Sequence, residues 1–133
     1  MVIETSALVA IFFDEPERRP FNEAIEAASR RLVSAAALVE AEIVLYARHG
    51  IAGSRVLDEF LRSARISIAS VDEEQANAAR IAFRRFGKGR HPAALNFGDC
   101  FSYALSKVTG EPLLYKGEDF AQTDIAAVSL APD

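Results

Sequence analysis

Short apolar runs alternate with longer stretches of helical periodicity along the chain. Met1–Ile3 is apolar and β-branched, which predicts a short buried strand. Glu4 breaks that run, Thr5 or Ser6 stands where a cap is needed, and Ala7–Phe13 predicts an apolar helix. Asp14-Glu15-Pro16-Glu17 reads as a turn, with Pro16 suited to the first position of a second helix reaching about Ala28. Arg31–Ser34 predicts a second strand. Ala35–Tyr46 predicts a helix that is apolar nearly all round, hence buried on most sides, with Glu40 and Glu42 as its charged interruptions. Arg48-His49-Gly50 closes it, the basic residues facing the C-terminal dipole and the glycine following the last turn.

Gly53–Ala64 predicts an amphipathic helix with Val56, Leu57, Phe60 and Leu61 on one face, and Ile66–Ala69 a third strand. Asp72–Phe86 is helical in pattern, with Ala76, Ala79, Ile81, Ala82 and Phe83 as its apolar positions. Gly87–Phe97, marked by glycines and Pro92, reads as a loop. Gly98–Val108 places Phe101, Ala104, Leu105 and Val108 on one helical face. Pro112–Tyr115 predicts a fourth strand, Lys116–Phe120 a turn into a short helical piece, and Ala127–Leu130 a last edge strand. Strands that alternate with helices pair in parallel through crossovers. The expectation is an α/β fold, three-layered, with a central, mostly parallel sheet flanked by helices. At 133 residues one domain over 1–133 is expected, and a 50% hydrophobic content supports a full core.

Charge and cysteine usage narrow the chemistry. A net charge of −4 argues against a protein that coats nucleic acid through basic charge. It leaves room for a nuclease, because a metal site concentrates carboxylates whose charge the ion offsets. The one cysteine, Cys100, excludes an internal disulfide framework and reads as a small buried hydrophobe. His49 and His91 with that single cysteine do not make a His/Cys zinc site. The first apolar run lacks a basic flank and is too short to span a bilayer, so a cytoplasmic protein without membrane attachment is expected.

Four acids stand out by context. Glu4 follows the first strand, at the edge where open α/β sheets bind ligands. Glu40 lies among Ala36, Ala37, Ile43 and Val44, where an ionised group is costly unless paired or bound to a cation. Glu42 has a similar setting, and periodicity leaves both open. Asp99 opens a late helix, and Asp119 follows the fourth strand, with Glu118 and Asp124 as alternatives to it. Carboxylates gathered at one edge repel each other unless a cation sits among them. Oxygen donors of this kind select Mg²⁺ or Mn²⁺, ions that activate water and clamp a scissile phosphate. The acid-free run Arg80–His91, with Arg84, Arg85, Lys88 and Arg90, reads as a track for an RNA backbone, against a solvated helix face or a dimer contact. Phe83 and Phe86 read as core, and Lys116 as a solvated turn residue. A phosphoacceptor domain would want an aspartate nucleophile after the first strand, which Glu4-Thr5-Ser6 does not offer.

The opening Val2–Ile11 with Asp14-Glu15-Pro16-Glu17 resembles the start of a PIN domain of the VapC toxin type. The likeness continues through Ser34, Leu38-Val39-Glu40-Ala41, Ala47-Arg48-His49-Gly50, Asn96–Ala104 and Pro112–Phe120, in order over essentially the whole chain. The resemblance implies a metal-dependent endoribonuclease, the toxin of a type II toxin–antitoxin pair, with Mg²⁺ or Mn²⁺ as cofactor. It implies acidic ligands at Glu4, Glu40, Asp99 and Asp119, prefers Glu40 to Glu42, and gives Ser6 a supporting hydroxyl. It also implies a homodimer, silenced by a VapB-type antitoxin whose C-terminal segment occupies the acidic groove. The family's first acid is usually Asp, whereas this chain has Glu4, one methylene longer. A catalytically weakened PIN-fold module that binds RNA or an antitoxin is the alternative that this departure raises.

Overall fold

The computed structural model describes residues 1–131. Four short strands, β1 (Val2–Ile3), β2 (Leu32–Ser34), β3 (Ser67–Ala69) and β4 (Leu113–Leu114), form one sheet in the order β3-β2-β1-β4. Every pairing is parallel, with Val2 opposite both Leu32 and Leu113. Six helices flank it: α1 (Thr5–Phe12), α2 (Arg18–Ala27), α3 (Ala35–His49), α4 (Ile51–Ser63), α5 (Glu73–Phe86) and α6 (Phe97–Thr109).

Side chains alternate across a strand, and here that alternation divides the interior in two. Val2, Leu32 and Leu113 point to one face and pack with Ala79, Ala82, Phe86, Cys100, Tyr103 and Leu105 of α5 and α6. Ile3, Val33 and Leu114 point to the other and pack with Leu8, Ile11, Phe21, Ala37, Leu45 and Leu57 of α1 to α4. The result is the expected three-layer α/β sandwich. The chain steps from β1 outward to β2 and β3, then returns to place β4 on β1's other side. Between β1 and β4 the strand order therefore reverses, a position where such sheets hold ligands beyond the strands' carboxyl ends.

Several boundaries differ from the sequence expectation. Helix α1 starts at Thr5, not Ala7, because the carboxylate of Glu4 caps it in place of Thr5 or Ser6. Pro16 stays in the turn and α2 begins at Arg18, whose N–H donates to Glu15 O at 2.9 Å. Helix α3 runs on to His49, and α4 follows at once from Gly50, whose φ of +62° reverses the chain. Burial on most sides of α3 is overturned. Ala37, Ala41 and Leu45 enter the core, but Val39, Ile43 and Tyr46 are exposed, because no described element covers that stripe. Phe83 is likewise exposed on α5 while Phe86 is buried. The expected edge strand Ala127–Leu130 is only a bridge between Leu113 and Ala127, since β4 is two residues long and offers no further ladder. Among the described residues, no helix is long and apolar enough to cross a membrane.

Candidate functional site

Glu4 leaves β1 at the switch point. Its N–H donates to Leu114 O at 3.0 Å, tying it to β4. Its Oε2 accepts the N–H of Ser6 at 2.8 Å and also the Ser6 hydroxyl, so the side chain is both the cap of α1 and a buried acid. Burial pushes its carboxyl up to about 7; the bonds from Ser6 oppose this, and the charges of Asp99 and Glu40 add to it. Ser6 supports the neighbouring strand too, its hydroxyl accepting the N–H of Lys116 at 2.9 Å.

Asp99 sits in the first turn of α6 within a capping box. Its N–H donates to Asn96 Oδ1 at 2.9 Å, and its Oδ2 accepts the N–H of Asn96 at 3.0 Å. Burial raises its carboxyl above the usual range, the Asn96 N–H opposes, and the charges of Glu40 and Asp119 raise it further. Glu40 reaches α6 from α3. A Cβ added to Gly98 would lie 2.3 Å from Glu40 Oε2, so the glycine makes the room in which this carboxylate rests. Glu42 faces elsewhere, accepting the Ser54 hydroxyl at 2.7 Å.

The mutual charge effects join Glu4, Glu40, Asp99 and Asp119 into one electrostatic group. None of the four pairs with a described basic residue. Asp124 lies outside the group. Burial alone would raise it, but hydrogen bonds from Lys107 at 2.8 Å and Tyr103 at 2.5 Å, with the charges of Lys107 and Arg85, bring it down to about 2. Glu118 is exposed on the turn before Asp119. Lys116 is not simply solvated: its ammonium pairs with Glu15 at 3.2 Å and Glu17 at 3.4 Å, away from the four acids.

Carboxylates grouped without a cationic side chain have the oxygen chemistry that suits a hard divalent cation. As placed, no three acidic, histidine or cysteine side chains among the described residues converge on one ion position. The cap bonds give the reason for two of them, holding Glu4 and Asp99 each to the start of its own helix.

The basic run does not form one stripe. Arg85 pairs with Asp124 at 3.5 Å and stacks over Phe86 at 4.7 Å, fastening the tail to α5. Arg84 turns to a groove between α5 and α6. Lys88 and Arg90 are exposed in the loop after α5. Gly98 and Asn96 went unremarked as site residues in the sequence. The spacing Asn96-x-x-Asp99 ahead of an apolar run was the available signal for the cap. Nothing local marks Gly98, whose partner Glu40 is distant in sequence.

The PIN domain family model matches residues 1–126. Ribonuclease VapC30 of Mycobacterium tuberculosis is 54% identical over 130 residues, covering 98% of this chain and 99% of its own. Ribonuclease VapC of Mycolicibacterium smegmatis is 54% identical over 128 residues, covering 96% and 99%. In structure, the chain resembles M. tuberculosis VapC20, described as a sarcin–ricin loop cleaving toxin, at a TM-score of 0.76 and 16% identity over 96% of this chain and 97% of that one. It also resembles a chain of a toxin–antitoxin complex from Klebsiella pneumoniae, at a TM-score of 0.67 and 18% identity over 92% of each. The parallel order β3-β2-β1-β4, the family match over nearly the full length and the high identity to curated relatives agree: the chain belongs to the PIN domain family and is of the VapC type.

Proposed function

We propose that this chain is a divalent-metal-dependent endoribonuclease and the toxin of a type II toxin–antitoxin pair. The observation that carries the reading is the coupling of Glu4, Glu40, Asp99 and Asp119 beyond the end of β1, with no described basic partner. The relatives' names support it, since proteins 54% identical along their length are called VapC ribonucleases. PIN-domain ribonucleases generally use divalent metal ions.

Glu4, Glu40, Asp99 and Asp119 would hold the ion, Mg²⁺ or Mn²⁺. Bound there, it would lower the pKa of an attacking water and offset the charge of a scissile phosphate. Ser6 positions Glu4 through two hydrogen bonds, and the Asn96 N–H positions Asp99. Gly98 admits the Glu40 carboxylate. Arg84, Lys88 and Arg90 supply positive charge for an RNA backbone. A VapB-type antitoxin and a second copy of the chain are the protein partners in this reading, and the exposed Val39, Ile43 and Tyr46 give an apolar stripe for one of them.

One observation favours a second reading, a weakened module that binds RNA or antitoxin: Glu4 spends its carboxylate on capping its own helix. Cleavage of total RNA separates the two. The wild type is expected to cut in Mn²⁺ and stop in chelator, and Asp99→Asn to fold but not cut. RNA binding without cleavage in either metal would select the weakened module.

A further inference from the structure

The groove between α5 and α6 takes no part in the acid cluster. Phe83, Phe97, Cys100 and Phe101 line it with Arg80 and Arg84, it encloses about 610 Å³, and no acid is among its walls. Phe97 is 79% exposed, more than any other large apolar side chain described. It stands edge-on to Phe101 with ring centroids 4.9 Å apart, so one aromatic holds the other upright at the groove's mouth. Arg80 and Arg84 lie one turn apart on α5. Among the described residues neither pairs with a carboxylate, and Arg80 donates a hydrogen bond to Asn77 Oδ1 at 3.2 Å.

Phe97 and Asp99 share the first turn of α6, so the groove's aromatic and one of the acids rise from the same helix end. The Asp99 carboxylate is bonded to the N–H of Asn96, the residue immediately before Phe97. An exposed aromatic ring with neighbouring unpaired guanidinium groups complements a stacked base and its phosphate. A protein occupant fits less well. It would bury Arg80 and Arg84 against walls that hold no carboxylate, and a second copy docking there by two-fold symmetry would bring the same arginines again.

We propose that this groove is a nucleobase subsite for single-stranded RNA, in which Phe97 stacks on a base next to the scissile phosphate while Arg80 and Arg84 hold the adjoining backbone. It rests on the ribonuclease reading. The test uses the full chain and short fluorescein-labelled oligoadenylate and oligouridylate, with affinity measured by anisotropy in chelator and KM and kcat measured in Mn²⁺. Phe97→Ala and Phe97→Leu should each weaken binding ~5- to 100-fold and raise KM. Phe97→Trp should restore both, and sedimentation should be unchanged throughout. Wild-type affinity in Phe97→Leu, or a shift of Phe97→Ala to a smaller species, would overturn the subsite in favour of a protein interface. If the wild type cleaves total RNA and Phe97→Ala matches its KM, the subsite alone fails. If the wild type neither binds nor cleaves RNA, the ribonuclease reading fails with it.

Discussion

Glu4 carries two demands in one side chain: it caps α1, and it is an acid held almost wholly out of water beside other acids. The consequence for stability has a definite sign. Between its ordinary value of 4.5 and about 7, the folded chain keeps a proton on Glu4 that the unfolded chain has released. Stability is therefore greatest below this window and falls as pH rises through it, by about 3 kcal/mol from this group alone. Denaturant titrations in chelator should show that fall, and Glu4→Gln should remove most of it. Gly98 makes a second, separable prediction. The atoms that a Cβ would strike at Gly98 are the end of the flexible Glu40 side chain, so Gly98→Ala should fold and displace that carboxylate. We expect RNA cleavage to fall at least tenfold while the melting temperature moves little; unchanged cleavage would remove Glu40 from the site. Glu4 and Asp99 were legible in the sequence because each follows a break in an apolar pattern. Periodicity did not choose Glu40 over Glu42, because both interrupt the same apolar helix; the family resemblance preferred Glu40, and in the structure the packing of α6 on α3 separates them.

The six helices follow their apolar periodicity to within a few residues, and the errors share one cause. Caps are chosen by geometry, so Glu4 replaced the more usual Thr5 or Ser6, and Pro16 yielded to a turn already closed by Glu15. Helix α3 exposed the limit of composition: a helix apolar all round is read as buried, yet the fold covers only its Ala37–Ala41–Leu45 face and leaves Val39, Ile43 and Tyr46 exposed. The basic run shows the converse, because charge alone does not reveal which arginine the fold has already engaged. Arg85, paired with Asp124 and stacked on Phe86, belongs to the structure. Arg85→Ala should cost roughly 0.5–1 kcal/mol in denaturant titration, the range of half-exposed ion pairs, with RNA affinity little changed. Lys88→Ala with Arg90→Ala should do the opposite, weakening RNA binding and flattening its salt dependence.

At the scale of the molecule, the alternation of strands and helices announced a parallel three-layer sheet, and the sheet is so built. The strand order was not legible, since nothing local says on which side of β1 the last strand lies. That order gathers acids from four separate stretches of chain around the end of β1, and repulsion among them opposes folding when no cation is present. In chelator, Asp99→Asn should melt at or above the wild type. In Mn²⁺ the wild type should gain the larger increase, because ligand bound only to the folded state adds to stability. Equal gains in both proteins would count against Asp99 as a ligand.

The pairing of β1 with β4 also imposes an order in time. Ribosomes make chains from the amino end, so Glu4 and Glu40 emerge long before Leu113 and Leu114. Until that last strand arrives, β1 has a bare edge, the Glu4 N–H lacks its bond to Leu114, and Ser6 has no Lys116 N–H to accept. The acid-bearing end of β1 is therefore complete only once the last strand of the sheet has paired with it.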